Sequence, residues 1–140
     1  MFDDVEIGKE KSMWRIVSFV TVQNVIDPSK RIQFDAFVDT GASLMVLPSV
    51  WKERLGSFFM SRKVSLEMAT QERTEGEVCG PVQLRLEGFD PINTNVVFSD
   101  MKPVDGDYEP LIGYIVLEQS MAAVDMVGHR LINTRKLDLK

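Results

Sequence analysis

The stretch Phe37-Val38-Asp39-Thr40-Gly41-Ala42-Ser43-Leu44-Met45-Val46-Leu47-Pro48 constrains this chain more than any other. An apolar run enters an acid, turns at a glycine and leaves as a second apolar run. The expected local structure is strand, tight turn, strand, with a carboxylate at the tip and a packed strand on each side. Asp and Gly are common turn residues for conformational reasons alone. The order Asp-Thr-Gly-Ala, its apolar flanks and the length of the chain argue for a chemical role as well.

One hundred and forty residues suffice for one domain with its own core. The formal charge is −5, and no run of Lys and Arg occurs. Such a chain is a poor partner for nucleic acid or an anionic membrane. The one cysteine, Cys79, excludes an internal disulfide and suits a reducing compartment. The one histidine, His129, leaves too few ligands for a His/Cys zinc site, so neither metal nor cofactor is expected. Met1-Phe2-Asp3-Asp4-Val5-Glu6 lacks the apolar core of a signal peptide. No apolar run approaches membrane-spanning length. The expectation is a soluble, cytoplasmic protein.

Residues 1–12 read as a polar tail or an edge strand. Met13 to Val25 reads as a strand apolar on both faces, with Trp14, Ile16, Val20 and Val22 on one and Val17 and Phe19 on the other; two-sided cover is expected. Asp27-Pro28-Ser29-Lys30 reads as a turn. Arg31 to Asp39 is the returning strand, so the acid sits on the second arm of a hairpin. Leu44 to Leu47 is strand again. Pro48 to Leu55 reads as a short helix, with Ser49 a candidate cap and Gly56 a stop. Arg62 to Thr70 and Glu77 to Glu87 form a long hairpin whose polar tip is Gln71-Glu72-Arg73-Thr74-Glu75-Gly76. Ile92 to Phe98 is a strand, Asp100 to Pro110 an acidic loop, and Tyr114 to Met121 a short helix. Val124–Val127 and Arg130–Thr134 flank a turn at Gly128-His129. Residues 135–140 read as a tail or an interface strand. Residues 13–134 are thus one mostly-β, barrel-like domain with one or two short helices. Glu118 and Asp125 read as a solvated helix acid and a turn acid. Cys79 reads as a small packed residue, Trp14 and Trp51 as core or interface anchors, and Met60, Met68 and Met101 as candidate groove linings.

Val38-Asp39-Thr40-Gly41-Ala42-Ser43 resembles the catalytic loop of retropepsin-like aspartic peptidases. Pro110-Leu111-Ile112-Gly113 resembles the two-hydrophobics-plus-glycine motif that lies across from that loop in the family. The continuation through Leu117-Glu118, Val124-Asp125 and Arg130-Leu131-Ile132 is similar to its bacterial branch. The resemblance runs from about Trp14 to Ile132. It implies a closed, β-barrel-like acid-protease lobe and the hydrolysis of peptide bonds in extended polypeptide.

Amide hydrolysis by water needs a base to activate the water and an acid to protonate the leaving groups. Two close carboxylates sharing one proton do both, because both cannot ionise together. This chain holds one Asp-Thr-Gly, so the resemblance implies that Asp39 meets Asp39 of a second copy on a two-fold axis. Asp39, Thr40 and Gly41 are then the catalytic residues. Thr40 would lock the two turns together, and Gly41, lacking a Cβ, lets backbone N–H groups approach the carboxylate. Ala42 and the tip Gln71, Glu72, Arg73, Thr74, Glu75 and Gly76 are the expected substrate-binding residues, the tip closing as a flap over an added peptide strand. Leu111-Ile112-Gly113 would pack behind the loop. Viral relatives usually carry Arg after the glycine of the second motif, followed by Asp or Asn. Here Tyr114 and Ile115 stand instead. The alternative function is a non-catalytic peptide-binding or dimerisation module that keeps the fold.

Overall fold

The computed structural model describes residues 15–67 and 73–134. In chain order these form β1 (Val17–Asn24), β2 (Arg31–Val38), β3 (Met45–Pro48), a 3-10 turn (Ser49–Trp51) running into α1 (Lys52–Leu55), β4 (Met60–Glu67), β5 (Arg73–Leu86), β6 (Ile92–Ser99), β7 (Leu111–Ile112), α2 (Tyr114–Ser120), β8 (Ala122–Asp125) and β9 (Arg130–Asn133). The main sheet runs β1-β2-β7-β3-β6-β5, and β5 pairs back onto β1, closing a six-stranded barrel. β4 extends it from β5, and β8 and β9 form a separate two-stranded sheet. Closure leaves the barrel strands without open edges.

Alternation explains which side of each strand faces inward. On β1, Val20 and Val22 are fully buried, and on β5, Val82, Leu84 and Leu86 are buried while Gln83 and Arg85 are exposed. Ile32 and Ala36 of β2, Met45 and Leu47 of β3, Val96 and Phe98 of β6, and Ile112 of β7 complete the interior. Val116 and Leu117 of α2 and Leu55 of α1 plug it. Each fully buried aliphatic side chain contributes about 1.5–3 kcal/mol of transfer free energy.

One polar residue sits in this interior with every group matched. Asn24 is fully buried. Its Nδ2 donates to the carbonyls of Leu55 and Ser57, each at 2.5 Å, and its Oδ1 accepts from the Ile26 N–H at 2.7 Å. It therefore pins the chain leaving α1 to the end of β1. Asn24→Ala would leave two carbonyls and one N–H unpaired, at a cost of about 1–3 kcal/mol. The expected result is a lower urea midpoint with an unchanged m-value.

Several sequence expectations need correction. The first strand is fully buried on one face alone: Val20 and Val22 are covered, whereas Val17 and Phe19 of the other face are exposed. Met13 and Trp14 lie outside the described residues, as do the expected tails 1–12 and 135–140. Ser49 does not cap the short helix; Pro48 stands at that position, and the end has no side-chain cap. The final hairpin begins two residues earlier than its spacing suggests. The Asp125 carboxylate accepts the Gly128 N–H at 2.9 Å and ends β8 there, while His129 turns through φ 57°. Gly56, by contrast, ends α1 as expected.

The Asp39 turn joins β2 to β3 as expected, and these two strands do not pair with each other. β7 lies between them, parallel to β2 (Val38↔Ile112) and antiparallel to β3 (Val46↔Leu111). The loop must therefore span two strand spacings, about 9.5 Å, rather than the one spacing of a hairpin.

Candidate functional site

Asp39 follows the last residue of β2 and is held from both sides by main chain. Its N–H donates to the Ile112 carbonyl at 3.0 Å, continuing the ladder with β7. On the other side, the Val38 N–H donates to the Ile16 carbonyl at 2.8 Å. A tight turn begins at the acid, where the Ala42 N–H returns to the Asp39 carbonyl at 3.0 Å. The Gly41 N–H donates to Asp39 Oδ1 at 2.9 Å. A Cβ on Gly41 would stand only 3.1 Å from that oxygen, so the bare backbone suits the approach. Among the described residues Oδ2 accepts no hydrogen bond. Asp39 and Ala42 are half-buried, and Thr40 and Gly41 are exposed. The carboxylate is thus oriented through one oxygen and open through the other.

The loop is fastened at its far end by α2. The first turn of a helix has N–H groups without intrahelical partners. Here the loop supplies acceptors: Tyr114 N–H donates to the Ala42 carbonyl at 2.9 Å and Ile115 N–H to the Ser43 carbonyl at 3.0 Å. Gly113 is the helix N-cap residue and is buried. A Cβ there would overlap the backbone of Ser43 and Leu44. The Leu111-Ile112-Gly113 motif therefore packs directly against the loop.

The structure separates the expected flap residues. Gln71 and Glu72 lie outside the described residues. Arg73, Thr74, Glu75 and Gly76 are not turn residues but the start of β5, paired with Glu67, Leu66, Ser65 and Val64 of β4. The polar sequence reads as a turn, yet cross-strand pairing carries the ladder through it. Pairing of β5 with β6 begins only at Gly76↔Ser99. Arg73 to Glu75 pair with β4 alone, so this end is a two-stranded arm with no third strand to stiffen it.

The root of that arm is tied down by a network the sequence does not announce. Lys52 of α1 donates to Glu77 Oε1 of β5 at 2.7 Å, and Ser61 of β4 donates to the other carboxylate oxygen. Lys52, then Ser61, hold the Glu77 carboxyl below the usual glutamate value of 4.5. A carboxyl depressed by folding stabilises in full above its unfolded pKa, and that contribution fades as pH falls through the folded value. Wild-type protein is therefore expected to melt above Glu77→Gln at pH 7. The gap should close as pH falls below about 4.5, read by thermal melts of both proteins across acid pH. Cys79, beside Ser61, is buried, and burial pushes its thiol upward, as suits a packed residue rather than a nucleophile. His129 is a turn residue, its Nε2 donating to the Arg15 carbonyl at 3.1 Å.

A groove of about 630 Å³ is lined by β2, Trp51 and the loop that precedes β7. Phe37, two residues before Asp39, is part of its wall. Trp51 also lines it, packed on Phe34 at 5.1 Å and on Tyr108 at 6.1 Å between ring centroids. Met60 and Met101 do not line this groove, and Met68 lies outside the described residues.

No protein-family model and no curated protein matches the chain. Solved structures similar to this chain include two proteins. The EIAV protease, in complex with the inhibitor HBY-793, is 19% identical and aligns over 74% of this chain and 86% of its own, with a TM-score of 0.53. A protein of unknown function from Legionella pneumophila is 15% identical over 76% of this chain and 86% of its own, with a TM-score of 0.40. The first likeness is one of fold: a mostly-β, closed barrel of the retropepsin type with short helices. No helix among the described residues is long and apolar enough to cross a membrane.

Proposed function

We propose that this protein is a homodimeric aspartic endopeptidase of the retropepsin type, akin to the family's bacterial branch, that hydrolyses peptide bonds in extended polypeptide. The reading rests on one observation above the others. Asp39 is presented on a wide loop, with one oxygen held by the Gly41 N–H and the other open, and the loop is anchored to α2. The retropepsin-like barrel supports the same reading.

One such carboxylate is half of the chemistry. Two copies of Asp39 brought together on a two-fold axis would share a proton between them. The ionised copy takes a proton from water, and the oxygen so released adds to the carbonyl carbon. The protonated copy gives its proton to the carbonyl oxygen, leaving a tetrahedral diol. Proton transfer to nitrogen then lets the C–N bond break, and the products are an acid and an amine. Exposed Thr40 would bridge the two turns, and Ala42 would border the substrate strand. The arm that begins at Arg73–Gly76 would cover the bound peptide and exclude water, Gln71 and Glu72 preceding it in sequence.

The test is incubation with an unstructured protein from acidic to neutral pH, beside sedimentation over the same concentrations. Cleavage that rises with the dimer fraction is expected. Absence of cleavage at concentrations where a dimer has formed would instead favour a peptide-binding module on the same fold.

A further inference from the structure

We infer that the groove between β2 and the loop Asp100–Pro110 is a subsite for cationic side chains of the polypeptide substrate, set to one side of the Asp39 loop. The inference deepens the peptidase reading and rests on it for the word substrate.

The wall chemistry carries the argument. Aromatic rings of Phe34, Phe37, Trp51 and Tyr108 supply flat apolar surface, and carboxylates of Asp35, Asp105, Asp107 and Glu109 stand around them. Among the described residues no Lys or Arg lines the groove. Ring faces carry partial negative charge and attract ammonium and guanidinium groups. Carboxylates add directed, charge-assisted hydrogen bonds to the same groups. An anionic or purely aliphatic ligand would meet repulsion or leave these groups without partners.

The chain itself displays the binding mode at the edge of the groove. The Arg15 guanidinium lies over the Phe37 ring, 4.2 Å from its centroid, and donates to Glu109 Oε1 at 2.8 Å. A cation held between a ring and a carboxylate is therefore already built from these walls. Arg54 lies over Trp51 at 5.6 Å, a looser contact of the same kind. Two guanidiniums against four carboxylates leave the region negative by two. Among the described residues the side chains of Asp35, Asp105 and Asp107 have no cationic partner.

Position completes the case. Asp35 and Phe37 of β2 line the groove, and Phe37 stands two residues before Asp39, so the groove runs along the strand that delivers the acid. From Phe37 to Phe34 it covers about 10 Å of strand. A polypeptide passing Asp39 would place a side chain a few residues from the cleaved bond within its reach.

The experiment uses the 140-residue chain carrying Asp39→Asn, chosen so that peptide binding is read apart from turnover. Short unstructured peptides carrying several arginines, glutamines or glutamates at the same positions are titrated against this variant with Trp14→Phe added, so that emission comes from Trp51, and labelled-peptide anisotropy is read beside it. The arginine peptide is expected to bind best, to perturb Trp51 and to weaken with added salt. Asp35→Asn, Asp105→Asn and Asp107→Asn combined are exposed changes, expected to keep the fold and to weaken the arginine peptide about tenfold. Equal affinity for arginine and glutamine peptides, or unchanged affinity in the triple variant, overturns the subsite. Wild-type cleavage of an unstructured protein tests the peptidase reading separately. Cleavage without arginine preference removes the groove alone. Arginine binding with no cleavage by a formed dimer removes the peptidase and leaves a cation-binding groove.

Discussion

Asp39→Asn is expected to abolish cleavage while leaving the barrel folded, with a loss of about 10⁴-fold in rate. The substitution is nearly isosteric. The amide oxygen still accepts the Gly41 N–H, and the ladder bonds of residue 39 come from its main chain, so melting temperature should hardly move. What disappears is the group that exchanges a proton, and with it both the base and the acid of the dyad. Subunit mixing adds a sharper readout. If each site needs one Asp39 from each chain, equal amounts of wild type and variant leave about one quarter of dimers with two carboxylates, against one half without exchange. Activity should therefore fall about twofold on mixing. Full cleavage by the variant, or activity indifferent to mixing after exchange, would end the proposal of a shared dyad.

Much of the barrel was legible because local alternation is written residue by residue. Ile32 and Ala36 point inward from β2, and Val82, Leu84 and Leu86 from β5, as their spacing requires. The Asp39 turn was legible as a motif, since four adjacent residues carry it. Its architecture was not. β7 is two residues long, too short to show a period, and it reaches its place between β2 and β3 through pairings far apart in sequence. Nothing local in Leu111-Ile112 states that it separates the two arms of the turn.

The groove and the root of the arm were hidden for the same reason. Arg15, Phe37 and Glu109 meet only after folding, and each alone reads as an ordinary surface or strand residue. Lys52, Ser61 and Glu77 likewise come from a helix and two strands. The polar run Gln71–Gly76 misled for a different reason. Turn-like composition was outweighed from Arg73 onward by pairing with β4, as tertiary context can outweigh local preference.

Gly113→Ala is expected to be the most damaging single-methyl change near the site. The added Cβ would meet main-chain atoms of Ser43 and Leu44, which cannot swing aside as a side chain can. Either α2 or the Asp39 loop must move. Either movement strains the bonds from Tyr114 N–H to Ala42 and from Ile115 N–H to Ser43. Overpacking of this kind costs about 1–3 kcal/mol, with the upper end expected where backbone is the obstacle. The effect on chemistry should be about as large as the effect on folding and separable from it. A displacement of about 1 Å in a positioned catalytic group can lower rate about 10²-fold. Thermal melts and kcat/KM measured on the folded fraction separate the two. A lower melting temperature together with about 10²-fold slower cleavage per folded molecule is the expected pair. A destabilised variant that cleaves at the wild-type rate would mean that Gly113 supports the barrel without setting the position of Asp39. The geometry argues against that outcome: the nearest atoms a Cβ at Gly113 would strike belong to Ser43 and Leu44, the far end of the loop that carries the acid.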